Sequence, residues 1–157
     1  MSQQTAASET IPRAGGTYAL LLHLADADAI TIGRLGTFAF SAGWYVYVGS
    51  AFGPGGLAGR LSHHLHPAPK PHWHIDYLRQ QAIIREIWLL ADPVRFEHAW
   101  AERLKALPGA RFPAPRFGAS DCRCQAHLIG FDARPQFADF SQHIPQGQRL
   151  VCLRTGG

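Results

Sequence analysis

The sequence predicts an α+β domain, a small sheet with helices packed against it. Three observations support this. The stretch from Thr17 to Val48 is dense in β-branched, aromatic and leucine runs broken by glycine and aspartate, the signature of short strands. The segments Leu57–Leu65 and Asp92–Leu107 repeat apolar residues at helical spacing. At 157 residues and 46% hydrophobic content the chain can bury a core in one domain, and strands followed by helices fit the α+β class.

Residues 1–14 are small and polar without a period, and read as a loose N-terminal tail ahead of one domain spanning 15–157. Thr17–Leu24 is apolar nearly throughout, so it reads as a central strand buried on both faces. Asp26-Ala27-Asp28 signals a turn. Ile30–Leu35 and Thr37–Phe40 read as one strand interrupted at Gly33 and Gly36, and Trp44–Val48 as the next strand. A glycine-rich loop around Pro54 leads into the Leu57–Leu65 helix, which Pro67, Pro69 and Pro71 stop. His72–Gln81 reads as a second helix and Ala82–Ala91 as a strand. Asp92 as N-cap with Pro93 at the first helical position predicts a helix over Asp92–Leu107. A proline-broken loop follows at Arg111–Gly118, with late strands at Gln125–Phe131 and Arg149–Arg154. Together these make a mixed sheet with helices.

The chain carries a net charge of +4, with thirteen arginines and two lysines. Nine basic and five acidic residues fall between Arg60 and Arg116, so the excess lies there. That suits an anionic partner such as nucleic acid, and equally an arginine-biased surface. No run of about 18 apolar residues reads as a membrane span, and no basic-then-apolar stretch reads as a signal. The odd cysteine count, with Cys122 and Cys124 one residue apart, is a poor disulfide framework. A cytoplasmic, reducing setting with no membrane contact is expected.

The candidate site residues each have an ordinary alternative. Projected at 100° per residue, Glu97 falls in the apolar arc of Phe96, Trp100, Leu104 and Leu107. A carboxylate there is costly to bury unless it meets a cation, either a metal or a buried arginine. Arg60 and His64 sit one turn apart beside the Leu57, Leu61, Leu65 stripe, facing a groove or simply solvent. Tyr18 and Tyr47 read as site residues or as packing tyrosines. In His72-Trp73-His74-Ile75-Asp76-Tyr77, His74 can shuttle a proton with Asp76 or Tyr77 as its orienter, and Trp73 can stack on a base; a packed aromatic helix is the alternative. Cys122, Cys124 and His127 form a C-x-C-x₂-H run that lacks a fourth zinc ligand, so a buried thiol pair is the preferred reading.

Taken in order, these residues resemble the GIY-YIG nuclease superfamily. Gly16-Thr17-Tyr18 resembles its first motif, with Thr in place of Ile, and Tyr47-Val48-Gly49-Ser50-Ala51 followed by Arg60 and His64 resembles its second motif and first helix. Glu97 followed by Trp100 and Leu104 resembles the helix whose glutamate binds the metal. Trp44–Leu65, His72–Leu78 and Gly118–Leu128 are similar to the Uri-type branch. The resemblance implies a GIY-YIG-like small antiparallel sheet of three strands flanked by helices, here with an inserted strand region between the tyrosine motifs and a C-terminal extension. It implies an endonuclease dependent on Mg²⁺ or Mn²⁺ that hydrolyses DNA, structure-selective or weakly selective, with RNA left open. Tyr18 and Tyr47 would be the active-site tyrosines, with Tyr18 or a water it orders as general base. Arg60 would bind the scissile phosphate, His64 would support it, and Glu97 would be the single metal ligand. Gly49, Ser50, Trp73, His74 and Arg116 would lie on the DNA-binding face, with Trp73 or Phe117 at its rim. Many relatives use a late asparagine, and this chain has none. A nucleic-acid-binding module that keeps the fold without turnover is the alternative.

Overall fold

A computed structural model describes residues 11–117, 127–145 and 149–155. Its centre is a five-stranded sheet in the order β6-β4-β1-β5-β7. These strands are β1 (Gly16–Leu24), β4 (Gly43–Ala51), β5 (Ile83–Ala91), β6 (Leu128–Phe131) and β7 (Val151–Arg154). β2 (Asp28–Ile32) and β3 (Gly36–Phe40) form a separate hairpin between β1 and β4. That hairpin is the inserted region. The reading of Ile30–Leu35 as strand runs too far, because residues 33–35 make the turn and Gly33 adopts φ 49°.

Every pairing in the large sheet is antiparallel, which corrects the mixed sheet. The implied three strands correspond to β4-β1-β5 at the centre, with β6 and β7 added on the outside. β1 is central and buried along nearly its whole length, as its unbroken apolar run requires. Its alternation sorts the core. Tyr18, Leu20 and Leu22 pack on one face with α1 (Gly56–Leu65) and α2 (His74–Arg79). Ala19 and Leu21 face the other way, toward α3 (Glu97–Lys105) and α4 (Phe137–Ser141). Helices therefore cover both faces. Among the described residues no helix is long and apolar enough to cross a membrane.

The helix boundaries show what sequence propensity misses. α1 begins at Gly56, whose φ is 57° and where a Cβ would lie 2.0 Å from the Arg13 carbonyl oxygen, so only glycine fits. Residues 12–14, assigned to the tail, belong to the fold: the carbonyls of Pro12 and Ala14 accept from the N–H groups of Ala58 and Leu57, meeting donors the first turn leaves open. α2 is shorter than His72–Gln81, because the Asp76 carboxylate accepts from the N–H groups of His72 and Trp73 at 2.8 and 2.9 Å and holds them outside the helix. The Asp92–Leu107 helix is corrected to Glu97–Lys105. Asp92 instead closes a local turn by accepting from Val94 N–H at 2.8 Å. The α3 N-terminus is anchored by Thr17, whose buried hydroxyl oxygen accepts from Phe96 N–H at 3.0 Å. α4 was not anticipated. It seats Phe140 stacked on Trp88, ring centroids 5.1 Å apart.

Candidate functional site

An open cleft of about 540 Å³ lies where β4 ends, lined among others by Tyr47, Gly49, Ser50, Arg60, Trp73 and Glu97. Each residue arrives there for a local reason. Tyr47 and Gly49 point to the α1 face by strand alternation, and Ser50 points to the α3 face. α1 delivers Arg60 because Leu57 and Leu61 anchor its apolar side, both fully buried. Thr17 delivers Glu97 by fixing the residue before it. The cleft thus straddles the end of the sheet and joins groups from both faces.

Gly49 is required by the neighbouring strand. It is the register partner of Tyr18, and a Cβ there would lie 2.5 Å from the Tyr18 hydroxyl oxygen and 2.6 Å from Cζ. The Tyr18 ring crosses the space a side chain would fill. Tyr18 is itself fully buried, so it lies behind the cleft wall rather than on it. Its hydroxyl shares a 2.7 Å hydrogen bond with Nε2 of His64, also buried. The expectation that His64 flanks Arg60 on an open groove is therefore corrected: Arg60 lines the cleft, while His64 turns inward to Tyr18 and rests edge-on to Tyr47, centroids 6.2 Å apart.

Burial dominates the titration of these groups. It raises the Tyr18 phenol well above its ordinary value, helped by Tyr47 and opposed by Arg60. It also raises Tyr47, with Glu97 adding and Arg60 opposing. Both phenols stay protonated at neutral pH. Burial lowers His64 to about 3, with the His63 charge adding to the effect, so its imidazole is neutral. Neither Tyr18 nor His64 is a ready base in the resting chain. Glu97 behaves differently. Burial would raise its pKa, but hydrogen bonds from His127 and Ser50 and the His127 and His98 charges outweigh that, so the carboxyl is held below its usual range.

The partners of Glu97 answer the question its helix position posed. Ser50 Oγ donates to Oε1 at 2.7 Å, and Nδ1 of His127 lies 2.7 Å from Oε2. Among the described residues no arginine lies within 4 Å of the carboxylate, and the cation-forming partner it meets is His127. The side chain keeps 22% of its surface open. His127 is consequently turned to Glu97; Cys122 and Cys124 lie outside the described residues.

Arg60 donates from Nη1 to the Ser50 carbonyl oxygen at 3.0 Å, and its guanidinium sits 4.4 Å above the Trp73 ring. Arg95 approaches from the other side. It donates from Nη1 to Ser50 Oγ at 3.2 Å and lies 4.5 Å over Phe52. Ser50 is thus a node touched by both arginines and by Glu97. Sequence reasoning passed over Arg95, Phe52 and Thr17. The available signals were a cation two residues ahead of Glu97, an aromatic three residues beyond Gly49, and a hydroxyl inside the first tyrosine motif.

Several further expectations are corrected. Asp76 does not orient His74; it holds His63, 3.1 Å from Nε2, in addition to the two N–H groups at the start of α2. His74 does line the cleft, its ring 5.6 Å from that of Phe117. Phe117 is fully buried and packs edge-on to Tyr47, so it cannot be a rim residue. The basic stretch does not converge on one face. Arg60 and Arg95 line the cleft. Arg79 is tied to the carbonyls of His64 and Ala82, and Arg111 pairs with Asp132. Arg116 is exposed, with φ 68°, and is not among the residues that line the cleft. These charges are dispersed because three helices, a strand and the loops between them carry them.

No curated protein and no solved structure matches the chain. A family model does match, described as Domain of unknown function DUF123, over residues 17–149. That span opens on the threonine anchoring α3, contains the whole lining of the cleft, and covers most of the sequence: the chain belongs to the DUF123 family.

Proposed function

We propose that this protein is a divalent-metal-dependent endonuclease of the GIY-YIG type, close to its Uri-like branch, that hydrolyses DNA phosphodiester bonds. One observation carries the reading. Tyr47, Arg60 and Glu97, far apart in sequence, line one open cleft, with Tyr18 and His64 bonded to each other directly behind it. The implied arrangement of two tyrosines, an arginine and a glutamate is therefore geometrically feasible in this chain.

The donor set fits Mg²⁺. Glu97 is ionised, partly open to the cleft, and steadied by Ser50 and His127. Mg²⁺ keeps several waters and commonly binds through one or two carboxylates plus substrate phosphate. Among the described residues no cluster of three or more His, Cys, Asp or Glu could hold a metal alone, so water and phosphate would complete the shell; Mn²⁺ fits the same donors. A bound ion supplies Lewis-acid polarisation of a phosphate oxygen and stabilises the charge on the leaving oxygen.

The chain's own groups do the rest. Arg60 presents a planar fork of donors to the scissile phosphate, and stacking on Trp73 together with the Ser50 carbonyl orients it. Tyr47, protonated, donates to the attacking water or to a non-bridging oxygen. Tyr18 backs Tyr47, ring centroids 6.4 Å apart, and is oriented by His64. Gly49 leaves the room in which the Tyr18 ring sits behind the cleft wall.

A binding module without turnover is the second reading. The observation favouring it is that both phenols stay protonated and His64 stays neutral, which leaves these groups without a ready proton acceptor near pH 7. A nicking assay on branched, single-stranded and duplex DNA, with Mg²⁺ or Mn²⁺ against chelator, separates the two. Metal-dependent cleavage lost in Arg60→Ala supports the nuclease. Tight binding with no cleavage of any substrate supports the module.

A further inference from the structure

Arg60 and Arg95 are the two arginines that line the cleft among the described residues. Arg111, Arg134 and Arg149 are each paired with a carboxylate, Asp132, Glu86 and Asp92 respectively. Among the described residues neither Arg60 nor Arg95 has an acidic partner within 4 Å. Both bond to Ser50 instead, one at its carbonyl and one at its hydroxyl. Two guanidinium groups held on one residue, at the two sides of one cleft, outnumber the single carboxylate of its lining, Glu97, and form a double anion site. Their shared anchor keeps them within reach of neighbouring phosphates on a single strand.

The aromatic residues repeat the pattern. Trp73 lies beneath Arg60 and Phe52 beneath Arg95, and both are half-buried cleft residues. Each arginine thus stands on its own flat apolar platform. A guanidinium parked on a ring marks a surface on which another planar cation or a base can stack. A base reaches such a ring only when it is unpaired, since both its faces are otherwise covered inside a duplex. Arg95 is also well fixed for an exposed residue. The turn closed by Asp92 precedes it, and Phe96 behind it is bonded to Thr17.

We infer that Arg95 and Phe52 form a second nucleotide subsite beside the scissile position. Arg95 swings off the Phe52 ring to take the phosphate next to the one held by Arg60, and Phe52 stacks the unpaired base of that nucleotide on the face so freed. The inference rests on the reading of Arg60 as the scissile-phosphate residue. It narrows the substrate to strands unpaired on at least one side of the cleavage point.

Binding can be measured without turnover. Fluorescence anisotropy in chelator would compare a labelled single strand of mixed sequence with the same strand in a duplex. Arg95→Gln should weaken single-strand binding about tenfold and lower the salt slope by about 0.7, one phosphate contact on a single strand. Phe52→Ala should weaken single-strand binding about tenfold and leave duplex binding unchanged. If Phe52→Ala melts early, Arg95→Gln decides alone, because that side chain is exposed. An unchanged slope in Arg95→Gln, or equal loss on single strand and duplex in a folded Phe52→Ala, overturns the subsite. A chain that binds through Arg95 but never cleaves defeats the nuclease reading and leaves the subsite standing. A chain that cleaves while Arg95→Gln binds normally defeats the subsite alone.

Discussion

Glu97→Gln removes one charge and almost no volume, which makes it the sharpest test of the site. In the native chain the carboxylate accepts from Ser50 and contacts His127, both at 2.7 Å. The amide of glutamine still accepts from Ser50 through its oxygen, and its NH₂ donates to Nδ1 of His127 once that ring carries its proton on Nε2 instead. What is lost is the charge assistance, the difference between hydrogen bonds worth roughly 1.5–3 kcal/mol and neutral ones worth about 1 kcal/mol. The folded state should therefore weaken by only about 1–2 kcal/mol, a few degrees in Tm for a domain of this size. Cleavage should behave quite differently. If Glu97 holds the ion, losing the anionic ligand removes several kcal/mol of transition-state stabilisation, on the order of 10³-fold in rate. DNA binding should persist or tighten, because a negative charge beside Arg60 and Arg95 is gone. A melting curve, a nicking time course in Mg²⁺ and an anisotropy titration on this one variant read all three. Cleavage within a few-fold of the native chain would refute the metal role. Destabilisation by 3–5 kcal/mol, about the loss expected from breaking a buried ion pair, would make Glu97 structural.

Three further outcomes follow from the geometry. Gly49→Ala should destabilise by about 1–3 kcal/mol, since the new methyl meets the Tyr18 ring carbon at 2.6 Å; Tyr18→Phe should not rescue it, and a normal melting temperature would disprove the close approach. Thr17→Val removes the acceptor of Phe96 N–H, which should cost about 1–3 kcal/mol and reduce cleavage further by loosening Glu97, with Thr17→Ser restoring both; unaltered stability by urea titration would show that the contact is dispensable. Stability should fall as pH drops from about 6.5 toward 3, because the unfolded chain protonates His64 while the folded chain, with its pKa near 3, does not. The full effect is on the order of 5 kcal/mol, and Asp76 and Glu97, held below their usual range, add loss in the same direction at the acid end. His64→Gln should flatten that slope, and an unchanged slope by chemical denaturation across pH would exclude His64 as its source.

The amino-acid sequence alone determined whatever depends on short-range pattern. An apolar run placed β1 at the centre, and three leucines one turn apart with prolines behind them placed α1. The order Tyr18, Tyr47, Arg60, Glu97 identified residues of which three line one cleft and the fourth backs it. Gly49 was named through the same motif resemblance, while its close approach to Tyr18 followed from the strand register. The rest depended on partners far away in the chain. α3 starts at Glu97 because Thr17, 79 residues before Phe96, supplies an acceptor to the Phe96 N–H, and local propensity at Asp92 could not reveal that. Asp76 met His63 rather than His74 because α1 lies across the start of α2. Phe117 went inward because Tyr47 offered its ring as a neighbour. Arg95 gained its place only when β4 brought Ser50 and Phe52 beside the turn that carries it. Helical and strand periods report which face a residue occupies; which residue lies opposite is decided by sheet register and helix packing, which only the folded chain specifies.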